Sequence, residues 1–263
     1  MTGSGTFSLE VKDRIGLLRI TRESKRNALD AEMMDELGAL CRQIEHRGDL
    51  AVLILTGSGA SFCAGGDIAA WSDQPPAAFA RHWVRDGHES LDRLARLRQP
   101  VIAAINGHAL GGGLELAACA DYRIAEEQVK FGQPEAGLGI IPGWSGTQRA
   151  VRRFGAGIVR RMAIFGEVLS AEEARAEGLV DKVVGQGQGF EAAVALAETV
   201  LKRSQVSTEL TKMLVNAAEG EERERVLESL AGHIAAASAE LREGVAAFRE
   251  KRPANFKTKK EDQ

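Results

Sequence analysis

The chain has 263 residues, enough for one large domain or one domain with an appendage, and its 44% apolar and 27% charged content is that of a globular protein. A formal net charge of -3 leaves no electrostatic footprint for nucleic acid, and Cys41, Cys63 and Cys119 lack the pairing or CxxC spacing of a disulfide framework or zinc knuckle. No stretch has the length and continuity of a signal peptide or membrane span, so a cytoplasmic protein with no membrane partner is expected.

Residues 7–21 alternate around Asp13-Arg14 and predict a two-stranded hairpin, followed by a basic loop at 22–27. Asp30 is placed to cap a helix whose apolar residues run from Met33 to Ile44 at helical spacing, with Gly48 as a stop. Ala51 to Thr56 is continuously apolar, as in a buried parallel strand, and leads into the glycine-rich loop 57–67. Pro75-Pro76 opens a long amphipathic stretch that ends at Gln99-Pro100. Val101 to Ile105 predicts a second buried strand; Asn106-Gly107 and three glycines at 111–113 then lead into a buried helix over 114–120. Short strands follow at 122–125 and 129–131, and a turn at 132–135. Ser170 and Glu173 form a capping box for a helix stopping at Gly178, and 180–184 reads as a strand. From Phe190 the pattern is helical, and the end, Lys251 to Lys260, is basic. Strands alternating with helices through residue 184 argue for an α/β core of β-β-α or β-α units; the helical remainder argues for an added packing layer.

The chain contains no GxxxxGK[ST], GxGxxG behind a strand, HExxH or GxSxG, which removes phosphate-loop, dinucleotide, zinc-protease and serine-hydrolase chemistries. Two glycine loops behind apolar strands remain, with carboxylates near them. Three consecutive glycines cost about 1 kcal/mol each against alanine inside a helix, so backbone access rather than helix stability has to account for them. Peptide N–H groups from two separate loops can converge on one carbonyl oxygen and stabilise an oxyanion. Glu115 lies among Leu114, Leu116, Ala117, Ala118 and Cys119, which predicts a buried carboxylate with a raised pKa, the mark of a working acid or base. Glu135, after Pro134 and among glycines, is the second candidate; alone it reads as a surface turn residue.

The segments Ala64-Gly65-Gly66-Asp67, Ile105 to Leu116, Phe131-Gly132-Gln133-Pro134-Glu135 and Ile141-Pro142-Gly143 to Gly146-Thr147-Gln148-Arg149 resemble, in order, the enoyl-CoA hydratase/isomerase, or crotonase, superfamily. The resemblance runs from about residue 7 to Phe256. It implies an α/β spiral of stacked β-β-α units over 1–195 and a C-terminal helical region over 196–263 that builds a homotrimer or a hexamer of two trimers. It also implies oxyanion-hole N–H groups at Gly66 and Gly112 on an acyl-CoA thioester carbonyl. Glu115 would activate water for C3, Glu135 would deliver a proton to C2, and the N–H of Gly143 would help place the water. The coenzyme A thioester is then the substrate, with no separate cofactor and no metal. Arg22, Lys25 and Arg26, with Ala64 and Asp67, match the region that meets coenzyme A, and the Phe256 to Lys260 tail adds to it from a neighbouring subunit.

Trp144-Ser145 stands where hydratases carry small residues. Trp144 is either a core filler or, with Leu138, a wall of the acyl pocket, and as a wall it makes aryl-acyl substrates thinkable. His108 is expected to be packed or hydrogen-bonded rather than catalytic. Both glutamates together favour hydration of a trans-2-enoyl-CoA. The rivals are double-bond isomerisation, an aryl- or haloacyl-CoA conversion, and a non-catalytic scaffold.

Overall fold

The computed structural model describes residues 6–256; the stretch 257–260 of the basic tail lies outside them. The chain divides into two compact units, Met1–Lys212 and Met213–Gln263. The boundary expected between 195 and 196 falls inside a continuous helix of the first unit, Gly189–Leu201.

Among the described residues nine strands make two sheets, all in the first unit. The larger has the order β1 (Phe7–Lys12), β2 (Ile15–Ile20), β3 (Val52–Gly57), β4 (Val101–Ile105), β6 (Tyr122–Glu126) and β9 (Lys182–Val184), parallel except for the expected β1–β2 hairpin. The smaller is β5 (Ala109–Leu110), β7 (Lys130–Gly132) and β8 (Leu169–Ser170). A strand of the large sheet, a short strand of the small one and a helix follow each other along the chain, so successive turns stack as β-β-α units.

The buried strands are apolar on both faces because helices cover both. In β3, Leu53 and Leu55 belong to one core, with Met33, Leu37 and Ile44 of α1 (Ala31–Glu45). Val52 and Ile54 point the other way, into a second core with Ala193 and Ala197 of helix Gly189–Leu201. Asp30 caps α1 by accepting from Met33 N–H at 3.0 Å, as expected. The Ser170 and Glu173 capping box is also present, on helix Ala171–Ala176.

Three local departures from the sequence reading bear on the site. The stretch after Pro75 contains an eight-residue π-helical segment, Phe79–Asp86, before helix α2 (Gly87–Ala95). Helix α3 runs Gly112–Ala117 rather than 114–120, and Gly113 within it has no room for a side chain beside the Cys63 carbonyl. The turn at 132–135 continues into a 3-10 helix, Glu135–Leu138.

The second unit is helical, with Arg223–Ala237 followed by Ala239–Glu250, the latter capped by Ser238 through the N–H of Leu241. Among the described residues no helix is long and apolar enough to cross a membrane.

Candidate active site

The loops that leave the C-terminal ends of β3 and β4 lie side by side, where open parallel sheets place ligands. Cys63 pairs with Ala109 in a parallel bridge, and Leu29 pairs with Gly66 in another. Leu29 N–H donates to the Gly65 carbonyl at 2.8 Å. That carbonyl and the Gly66 N–H share one trans peptide, so the N–H faces the opposite way, toward the cavity that Gly66 lines. Gly112 follows the same logic: the Gly111 carbonyl accepts from Leu114 and Glu115 N–H, which turns the Gly112 N–H out of the start of α3. The two glycines nearly touch, since a Cβ on Gly112 would lie 3.3 Å from the Gly66 nitrogen. Two N–H donors from separate loops therefore reach one small volume.

Glu115, in the first turn of α3, is 3% exposed. Its Oε1 accepts from the backbone N–H groups of Trp144 and Gly146, each at 2.7 Å. Both can aim at one oxygen because Ser145 between them is left-handed, with φ 79°, a conformation that costs a non-glycine residue about 1–3 kcal/mol. Ser145 is held there by its hydroxyl, which accepts from Arg149 N–H at 3.0 Å, and by its carbonyl, which accepts from Ala150 N–H at 3.2 Å. Burial and the facing Glu135 push the Glu115 carboxyl up to about 8, against the pull of the two N–H bonds and the Arg149 charge. Arg149 is itself buried and paired with Asp92 at 2.5 Å.

Glu135 opens the 3-10 helix and is 7% exposed; burial raises its pKa too. Its Oε2 is buried without a hydrogen-bond partner, a poor setting for a charge and a free one for a proton. Both carboxylates line one cavity with Gly66, Gly112 and Gly143. Two acids whose pKa values are driven up in one pocket hold a proton between them through neutral pH, so one can give while the other takes.

The family model described as enoyl-CoA hydratase/isomerase matches residues 10–259. The chain belongs to that family. The crotonyl-CoA hydratase of Syntrophomonas wolfei is 38% identical over 254 residues, covering 95% of this chain and 97% of that protein. Among solved structures, an enoyl-CoA hydratase from Bacillus anthracis superposes with a TM-score of 0.78 at 32% identity over 97% of this chain and all of that one. Pseudomonas aeruginosa DspI does so at 0.79 and 33%, over 98% of each. The architecture is thus the crotonase fold.

Within this enoyl-CoA hydratase/isomerase chain, the structure gathers Gly66, Gly112, Glu115, Glu135, Leu138, Gly143, Trp144 and Ala64 around one cavity. Trp144 is buried, and it lines the cavity. His108 is exposed and accepts from Lys130 N–H at 3.1 Å through Nδ1, so it is hydrogen-bonded, as expected, rather than packed. The coenzyme A residues behave differently: Arg22 bridges Asp30 and Asp67, both at 3.0 Å, and none of Arg22, Lys25, Arg26 and Asp67 lines the cavity. Lys25 and Arg26 are exposed, with Lys25 4.0 Å from Asp67.

The N–H donors on Glu115 come from Trp144 and Gly146, and Gly143 lines the cavity beside them. Ser145, Gly146 and Arg149, and the cavity residues Trp71 and Trp83, carried no role in the sequence reading. Gly146 and Arg149 do sit in a motif segment, so spacing marked the segment and only the fold gave the roles.

Proposed function

We propose that the chain is an enoyl-CoA hydratase that adds water reversibly across the C2=C3 bond of a trans-2-enoyl-CoA thioester. The observation that carries this reading is the pair of buried carboxylates, Glu115 and Glu135, on one cavity beside the paired N–H groups of Gly66 and Gly112. The thioester carbonyl accepts from both N–H groups. In the form in which the shared proton sits on Glu135, Glu115, whose anion is supported by two N–H bonds, takes a proton from water as the water oxygen bonds to C3. The π electrons move through C2 onto the thioester oxygen, and the resulting enolate is held by the two glycines. The carboxyl of Glu135 protonates C2, and proton exchange between the two acids closes the cycle. Nothing in this sequence of steps calls on a metal or a redox group. By the same family analogy the chain is a cytoplasmic homotrimer or hexamer, which light scattering on the purified protein decides.

The reaction is tested with crotonyl-CoA and product mass. Hydration adds one water, whereas isomerisation leaves the mass unchanged. Glu115→Gln and Glu135→Gln should each lower kcat by about 10²- to 10⁴-fold, the usual share of one general acid or base. An inert wild type, or variants that retain near-normal rates, would sink the assignment.

A further inference from the structure

The cavity has an aromatic wall. The chain contains three tryptophans, and all three line this one cavity. Phe79, Trp71, Trp83 and Trp144 form a row with successive ring centroids 5.6, 6.2 and 4.7 Å apart, each within the range of aromatic contact. Two of these rings are seated on the glycines that present the N–H groups. A Cβ on Gly66 would come within 2.6 Å of Trp83 Cζ2, and one on Gly112 within 2.8 Å of Trp144 Cζ3. A third glycine, Gly87, leaves room for the indole nitrogen of Trp144. That nitrogen donates to the Trp83 carbonyl at 2.7 Å in the π-helical segment, so its one polar atom is satisfied. The two rings are fixed to one another and to the loops.

A saturated acyl chain gains the same apolar burial from leucine or valine walls, without three bare glycines to seat indoles. A planar conjugated group gains more, because ring quadrupoles add to area only between aromatic partners. The opposite side, Leu138 and Ile141, is aliphatic and exposed, so the cavity is open where a bulky group would enter. Trp144 also donates its backbone N–H to Glu115, so the residue that carries this ring also holds the carboxylate that would serve C3.

We propose that the acyl group is aromatic: a 3-aryl-2-enoyl thioester whose ring, conjugated through C2=C3, lies against Trp144, Trp83 and Trp71. This rests on the hydratase reading and narrows its substrate class. The bonds made and broken are those of the hydration above, giving a 3-aryl-3-hydroxyacyl thioester.

The test compares kcat/KM for 3-phenylacrylyl-CoA, crotonyl-CoA and a straight-chain 2-enoyl-CoA of equal carbon number, in wild type, Trp71→Leu and Trp71→Phe. Wild type should favour the aryl thioester over its straight-chain counterpart. Trp71→Leu should lower the aryl-to-crotonyl ratio about three- to tenfold, and Trp71→Phe should restore most of it. A straight-chain preference, or a ratio that Trp71→Leu leaves unchanged, overturns the proposal while hydration stands. Binding gives a readout independent of turnover, since all tryptophan fluorescence originates at this cavity. The unreactive 3-phenylpropanoyl-CoA should quench it at lower concentration than straight-chain nonanoyl-CoA. If wild type hydrates nothing, the hydratase reading fails and this binding order still decides the aromatic preference, equal or reversed affinities overturning it.

Discussion

Replacing Glu115 by glutamine should make the protein more stable in a pH-dependent way while removing activity. The amide oxygen can still accept from Trp144 and Gly146, so the hydrogen bonds at Oε1 survive. What disappears is the titration. The rise from 4.5 to about 8 corresponds to about 5 kcal/mol at 1.36 kcal/mol per pH unit. In the unfolded chain the carboxyl ionises near its ordinary value, so between those two values the native state keeps a proton that the unfolded state has lost. Stability from this group is therefore complete below the unfolded value and is lost as pH rises toward 8, above which the native state carries a buried charge. Glu115→Gln and wild type should differ little at pH 5. Between pH 6 and 8 the variant should gain roughly 2–3 kcal/mol on wild type, one proton's worth of slope. Urea unfolding at pH 5 to 9 measures this, with equal m-values showing that the unfolded states match. Parallel stability curves for the two proteins would refute the claim that Glu115 is ionised at a cost in this fold.

Other substitutions probe the geometry around that carboxylate. Gly112→Ala presses a methyl against Trp144 and should cost about 1–3 kcal/mol in denaturant unfolding, with a disproportionate fall in kcat as the N–H donor is displaced. Ser145→Gly loses the hydroxyl that accepts from Arg149 N–H but relieves the strain of φ 79°, so it should keep the pH profile with little net change in stability, whereas Ser145→Val should cost about 1–3 kcal/mol. By loosening the two N–H bonds, Ser145→Val should also move the limb of the rate profile that requires ionised Glu115 to higher pH; identical profiles in all three proteins would show that Ser145 does not set the cradle. Arg149→Met leaves Asp92 without its closest cation and removes a charge that lowers Glu115. A loss of about 1–3 kcal/mol, Asp92 keeping Arg96 at 3.1 Å, and a shift of the same limb to higher pH are expected, from unfolding and rate measurements together.

The parts of this protein that are local in sequence were legible there. Alternation gave the β1–β2 hairpin, helical spacing and Asp30 gave α1, and continuous apolar runs gave β3 and β4, because these patterns follow from backbone periods of 2 and 3.6 residues. Glu115 stood out as buried because its immediate neighbours are apolar. Two-residue strands such as Ala109–Leu110 and Leu169–Ser170 were not legible, since each is a strand only by virtue of a partner elsewhere. The π-helical segment was missed for a related reason: Trp83 occupies it to meet Trp144 and Gly66, and no spacing within 79–86 announces those partners.

The sequence by itself determined the fold class, the family and the two carboxylates, because motif order and apolar patterning are properties of the chain. Only the tertiary structure decided how the carboxylates come together around one cavity. It gave Glu115 the N–H groups of Trp144 and Gly146, committed Arg22 to Asp30 and Asp67, and drew Trp71, Trp83 and Trp144 together. Direction of an N–H, proximity of two acids and the shape of a wall depend on contacts between distant segments. Those contacts exist only once the chain is packed.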